Sequence, residues 1–193
     1  PDRTLLYDGF AEAHLRHAGS FPATSLVVTG SPGLDRLAAT VRALGPEERT
    51  RLRASLAPGG ERLALLVAKR SQLGPWLAAL IAATRGLTGA RLLMKPHPAE
   101  TAEPYAEAAQ GVPCCLLAPT HLDLGGLLGL VDLVVTVNST VAIDAAVLGI
   151  PALTVGLPNN LSPFVDLGAR AGVSEPASLP AALASVLTDD DVR

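Results

Sequence analysis

Short apolar runs alternate with longer stretches of mixed polarity along most of this chain, and from residue 61 onward the alternation is regular. Continuous runs at Arg62 to Ala68, Arg91 to Lys95, Pro113 to Leu117, Leu133 to Val137 and Ala152 to Val155 read as strands buried on both faces. Between them lie segments with helical spacing: Pro75 to about Arg85, Glu100 to Gln110, Leu122 to Leu130, and a short one near Ser162 to Ala169. A last short strand near Gly172 to Ser174 precedes a helix over Leu179 to Leu187. Strands alternating with helices of this length predict βαβ units, hence an α/β fold: a Rossmann-like open parallel sheet with helices on both faces.

The first sixty residues are less regular. Asp8 to His17 reads as a helix capped by Asp8 and closed by Gly19, and Ser25 to Thr29 as a short strand. Pro32 suits the first position of a helix running to about Leu44. Pro46 opens a very polar surface helix that ends before the Ala57-Pro58-Gly59-Gly60 loop. The expected organisation is residues 1–29 as the end of a preceding domain, 30–187 as the Rossmann-like domain and 188–193 as a polar tail. The chain begins with Pro and ends in a polar run, as an excised part of a longer protein would.

One stretch carries the densest signal. Asp132 to Pro151 reads as a buried strand broken by Asn138-Ser139-Thr140 and followed by a short helix. Ala142, Ile143, Ala145, Ala146 and Leu148 are its expected inward face, and Gly149 ends it before Pro151. Hydroxyls and backbone N–H groups at such a strand-to-helix turn can hold an anion. Ser139 as a plain helix cap is the equal alternative. A second motif, Lys95-Pro96-His97-Pro98, ends another buried strand, and the two prolines restrict the backbone around His97. With strand order 3-2-1-4-5 counted from residues 62–68, the loops Lys69-Arg70-Ser71-Gln72 and Asn138-Ser139-Thr140 flank the switch point where such sheets bind ligands. Lys95 and His97 end the neighbouring strand. Lys95, Lys69 and Arg70 are candidate phosphate cations, although solvated strand-end charges are common. Asp144, one turn after Thr140, could accept from sugar hydroxyls or be a simple exposed carboxylate. A Ser139–His97–Asp144 triad has little weight without a Gly-x-Ser-x-Gly elbow.

Composition narrows the function classes. Aromatic residues are 3% of the chain and the net charge is −3, so neither a stacking platform nor an electrostatic footprint for nucleic acid is present. No apolar run reaches membrane-spanning length. Adjacent Cys114 and Cys115 read as reduced core residues on opposite faces of one strand, which fits a cytoplasmic protein. Neither they nor the histidines show zinc-site spacing, so no metal and no cofactor is expected. Asp189-Asp190-Asp191 reads as a solvated tail. A Gly-x-Gly-x-x-Gly fingerprint is missing after the first strand.

Taken together, His97-Pro98, Ser139-Thr140 and Asp144…Gly149-Ile150-Pro151 resemble the C-terminal, nucleotide-sugar-binding half of GT-B-fold glycosyltransferases. The likeness is to capsule polymerases such as polysialyltransferases and to CDP-glycerol glycerophosphotransferases, which carry His-Pro and Ser-Ser motifs. Thr24 to Asp35 is similar to the segment joining the two halves of such enzymes. The resemblance implies a nucleotide-activated sugar or CDP-glycerol as donor, with His97 catalytic. Lys95, Pro98, Asn138, Ser139, Thr140, Asp144, Lys69, Arg70 and Gln72 would bind the donor. It also implies bacterial surface-polysaccharide synthesis and a missing N-terminal acceptor-binding domain, so this part alone should bind a donor without turnover. Thr140 stands for the second Ser and Asp144 for the more usual Glu. The alternatives are a UDP-N-acetylglucosamine 2-epimerase-like domain and a non-catalytic nucleotide- or phosphate-binding module. For the former, Lys69-Arg70-Ser71-Gln72 replaces a His-Arg motif and Asn138-Ser139-Thr140 a Ser-Gly-Gly.

Overall fold

The computed structural model describes residues 3–166, 168 and 171–188. The chain divides into two compact units, Pro1–Ala39 and Thr40–Arg193. The first contains β1 (Thr4–Leu6), α1 (Gly9–Ala18), β2 (Leu26–Val28) and the start of α2 (Pro32–Ala43). As expected, Asp8 caps α1, its Oδ1 accepting from the Ala11 N–H at 2.7 Å, and Gly19 closes it. Strand β1 is an addition to the sequence reading; it has only three residues and pairs in parallel with the distant β2. Leu5, Tyr7, Phe10, Phe21 and Val28 of this unit are exposed.

The second unit runs α3 (Pro46–Leu56), β3 (Arg62–Val67), α4 (Arg70–Leu73), α5 (Trp76–Arg85), β4 (Ala90–Lys95), α6 (Glu103–Ala109) and β5 (Cys115–Leu117). It continues with α7 (Leu124–Leu128), β6 (Leu133–Thr136), α8 (Val141–Val147), β7 (Ala152–Val155), α9 (Ser162–Asp166), β8 (Ala171–Val173) and α10 (Leu179–Thr188). Its six strands are all parallel and lie in the order β5-β4-β3-β6-β7-β8. This is the anticipated doubly wound order with one further strand, so β3 stands at the switch point between β4 and β6.

Alternation along each strand sorts the core into two layers. Ala64, Leu66, Leu92, Met94, Leu133, Val135, Leu153 and Val155 face one side, against Leu73, Trp76, Leu77 and Leu80 near α5, Tyr105 of α6, and Leu179 and Leu183 of α10. Leu63, Leu65, Leu93 and Val134 face the other and are no less buried. On that side α8 packs on β6 and β7. Each fully buried leucine contributes about 1.5–3 kcal/mol of transfer free energy, so the sheet's position is set by these runs.

Several boundaries differ from the sequence reading, each for a local reason. Residues 70–73, read as loop, form the turn α4, because the Gln72 N–H closes onto the Lys69 carbonyl at 2.9 Å. Helix α7 starts after Asp123 rather than at Leu122, since the Asp123 side chain caps it through the Gly126 N–H at 2.7 Å. Helix α6 starts at Glu103, where Pro104 suits the first turn, while Glu100 is engaged elsewhere. Strand β5 starts at Cys115 because Pro113 lacks an N–H and the Cys115 N–H turns back to Val112. The cysteine sulfurs do not face apart: they lie 4.0 Å from each other, unbridged. Burial pushes the Cys115 thiol up to about 12, with Cys114 adding to it. In α8, Ala146 is exposed rather than inward, and Val141 takes its place. That helix ends at Gly149, whose φ of +71° lets the Ile150 N–H reach the Ala145 carbonyl at 2.9 Å. The end of the helix expected to reach Ala169, and Asp189-Asp190-Asp191, lie outside the described residues. Among the described residues no helix is long and apolar enough to cross a membrane.

Candidate functional site

Parallel strands deliver their following loops to one end of the sheet. The ladder sets Val67 of β3 opposite Lys95 of β4 and Leu66 opposite Val135 of β6. The segments after these three strands therefore emerge side by side. Together they enclose a cleft of about 460 Å³, within the usual range of small-molecule sites.

Its walls are Val67 to Lys69 with Gln72, then Lys95-Pro96-His97-Pro98, then Asn138 to Val141, with Leu124 as an apolar side. Of the ten residues singled out in the sequence, Lys69, Gln72, Lys95, His97, Pro98, Asn138, Ser139 and Thr140 are thus brought together. Arg70 and Asp144 are not among the lining residues. The Arg70 side chain lines a separate shallow depression with Gly74, Leu77, Ile81 and Arg85. Asp144 is half-buried on α8, where burial pushes its carboxyl up.

The floor is held by bonds between strand ends. The buried Thr136 hydroxyl donates to the Val67 carbonyl at 2.7 Å, tying β6 to β3 where their loops begin. Asn159, which the sequence reading did not single out, secures the next segment. Its Nδ2 donates to the Val137 carbonyl at 2.8 Å, and its Oδ1 accepts the Leu161 N–H at 2.8 Å. That fixes the backbone immediately before Asn138.

The polar groups above this floor are left open. Among the described residues, the N–H groups of Asn138, Ser139 and Thr140 have no acceptor, and Lys69 and Lys95 have no ion-pair partner. Ser139 Oγ accepts only the Val141 N–H, at 3.3 Å; the capping position of α8 is Thr140, whose side chain makes no cap bond. Successive unpaired N–H groups beside cations form a concavity suited to an anion.

His97 is fixed from its own turn. The Ala99 N–H donates to Nδ1 at 3.2 Å and the Glu100 N–H to the His97 carbonyl at 2.8 Å. With Nδ1 accepting, the neutral ring carries its proton on Nε2, a donor. Glu100, which the sequence reading did not single out, accepts the Arg70 N–H on both oxygens, at 2.9 and 3.0 Å. This bond is the main cause holding its carboxyl below the usual range, despite some desolvation, with the Tyr105 hydroxyl adding to it. Burial, with Glu100 beside it, pushes Tyr105 up to about 12. Nothing in the local sequence around Glu100 signals this role, because its partner is thirty residues away. Among the described residues no three His, Cys, Asp or Glu side chains gather as a metal site.

No protein-family model matches the chain, and no curated protein matches it. Solved structures do. A UDP-GlcNAc 2-epimerase from Neisseria meningitidis, bound to UDP-GlcNAc, superposes with a TM-score of 0.73 at 14% identity, covering 98% of this chain and 53% of that one. MnaA from S. aureus, solved with UDP, gives 0.74 at 17% identity, over 99% and 53%. A variant of the wall teichoic acid polymerase TagF, soaked with CDPG, gives 0.65 at 17% identity, over 99% and 47%. The chain thus spans about half the length of each. These neighbours are GT-B-fold proteins, and at such identities the likeness establishes the fold: a Rossmann-like α/β sheet of the kind that forms one half of GT-B.

Proposed function

We propose that this chain is the nucleotide-donor-binding half of a GT-B-type transferase, acting on a nucleotide-activated sugar or on CDP-glycerol in bacterial surface-polysaccharide synthesis. The observation that carries the reading is the composition of the cleft. Three loops at the switch point bring two lysines, a histidine donor and three open N–H groups to one place, and among the described residues no carboxylate lines the cleft or pairs with either lysine.

In this reading the donor's diphosphate lies between Asn138-Ser139-Thr140 and the Lys95–His97 segment. As an acceptor hydroxyl attacks the donor, the bond to the leaving nucleotide breaks and negative charge grows on its phosphate oxygens. His97 Nε2–H, Lys95, Lys69 and the open N–H groups are then fixed donors facing that charge. Gln72 and Pro98 shape the walls. Asp144 would reach a ribose or base hydroxyl only from beyond the lining, so it is the least supported of the candidate contacts. The acceptor and the catalytic base would come from a further, N-terminal domain.

A second reading, a UDP-GlcNAc 2-epimerase-like domain, is favoured by the higher TM-scores of the epimerase neighbours. Calorimetric titration with CMP, CDP, UDP and UDP-GlcNAc separates the two. Saturable binding of a cytidine nucleotide supports the transferase; preference for UDP-GlcNAc over UDP supports the epimerase. Phosphate binding without regard to the base reduces the domain to an anion-binding module. No binding by any of them refutes all three for this chain.

A further inference from the structure

Glu100 is not part of the cleft wall, yet the two walls nearest it are joined through its carboxylate. Besides the Arg70 N–H, its Oε2 lies 3.0 Å from the Tyr105 hydroxyl. That hydroxyl is also 3.1 Å from the Ala68 carbonyl, so its single proton can serve the end of β3 or the carboxylate. Tyr105 is 1% exposed and cannot move without disturbing the core. On its other side Glu100 is continuous with the His97 turn, closed by its own N–H on the His97 carbonyl.

We infer that Glu100 is a positioning residue, which clamps the His97 turn to the Ala68–Gln72 segment and so holds the His97 ring in one orientation within the cleft. A four-residue helix gains little from a cap of its own, so capping α4 does not account for a carboxylate bound by both oxygens. Joining two loops does. A turn whose only ties are its own short-range bonds samples many arrangements, and each lost arrangement opposes ligand binding. A carboxylate held by a backbone N–H and a buried hydroxyl removes that freedom before the ligand arrives.

The inference rests on the donor-cleft reading for its effect on binding, but not for its effect on the ring. Nitrogen-15 NMR of the His97 imidazole therefore comes first, on wild type, Glu100→Ala, Glu100→Gln, Tyr105→Phe and the exposed control Glu107→Ala. The expected result is one tautomer with Nδ1 accepting in wild type and Glu107→Ala, and an averaged pattern in Glu100→Ala. Glu100→Gln, which keeps an acceptor oxygen, should fall between. Tyr105→Phe should shift the ring in the same direction as Glu100→Ala while retaining the fold. Nucleotide affinity should drop about tenfold in Glu100→Ala and less in Glu100→Gln. An unchanged His97 ring in both Glu100→Ala and Tyr105→Phe overturns the inference. If Glu100→Ala fails to fold, Glu100→Gln and Tyr105→Phe decide it. Altered ring signals with no nucleotide binding, even in wild type, sustain the clamp and defeat the donor-cleft reading instead.

Discussion

At the N-terminal end of the six-stranded sheet, charges are paired. The Asp132 carboxylate accepts the Leu63 N–H at 2.8 Å and meets both Arg53 and Arg62, while Arg53 also donates to the Leu130 carbonyl. Arg91 and Glu61 pair at 2.8 Å beside them. At the C-terminal end, Lys69 and Lys95 have no carboxylate among the described residues, and three N–H groups are open. Both ends are made by residues flanking the same strands. The difference is that the charges at one end are paired with internal partners, whereas at the other the two lysines are not. One end therefore serves stability, and the other is where we propose that an anion binds.

The largest test of this contrast is Asp132→Ala. It leaves two guanidiniums facing each other and the Leu63 N–H without its acceptor, and should destabilise the fold by about 2–4 kcal/mol, measured by urea unfolding. Under native conditions nucleotide affinity should be unchanged. His97→Ala should do the reverse. Affinity should fall at least about tenfold, or roughly 1.4 kcal/mol, with the unfolding midpoint unmoved. If His97→Ala also lowers the midpoint as far as Asp132→Ala does, the division between the two ends fails.

The hydroxyl of Thr154 in β7 is buried without a hydrogen-bond partner among the described residues. It stands in register with Thr136 but takes part in neither charged cluster, and Thr154→Val should raise stability by about 1 kcal/mol, read as a higher unfolding midpoint. Acid should erode the paired end gradually. Burial alone would raise the Asp132 carboxyl, but the Leu63 N–H and the Arg53 and Arg62 guanidiniums outweigh it and hold it below its usual range. For Glu61 the bond to its own N–H leads, and Arg91 adds to it. A carboxyl depressed in the folded state stabilises fully above its unfolded value, near 3.8 for Asp132 and 4.5 for Glu61. That contribution disappears as pH falls through the lower folded value. Stability should thus be flat above about pH 5 and decline below it. Asp132→Asn should show a shallower decline, because its acid-labile contribution is already gone.

The elements legible in the sequence were those whose cause is local. Apolar runs such as Leu133 to Thr136 specify strands, Asp8 and Gly149 specify helix ends, and the doubly wound order follows from the βαβ alternation. The segments of the cleft were legible too, because topology alone brings residues after β3, β4 and β6 together. What sequence reasoning missed depends on partners far along the chain. Glu100 engages Arg70, Asn159 engages Val137, and β1 exists only by pairing with β2. The placing of Arg70 outside the cleft was hidden for another reason: residues 70–73 were read as loop, whereas a local bond from the Gln72 N–H to the Lys69 carbonyl winds them into α4.

The chain has one tryptophan. Trp76 is buried at the start of α5, and its indole nitrogen would stand 3.3 Å from a Cβ placed on Gly156, where φ is +77° and β7 gives way to the loop containing Asn159. Its emission consequently reports a single place: the packing of α5 against the loop that fixes the backbone before Asn138. A nucleotide that tightens the 138–140 segment need not touch the indole to change its spectrum. Ligand-dependent fluorescence in the unlabelled protein would therefore follow movement of the cleft's supporting loop rather than contact with the base.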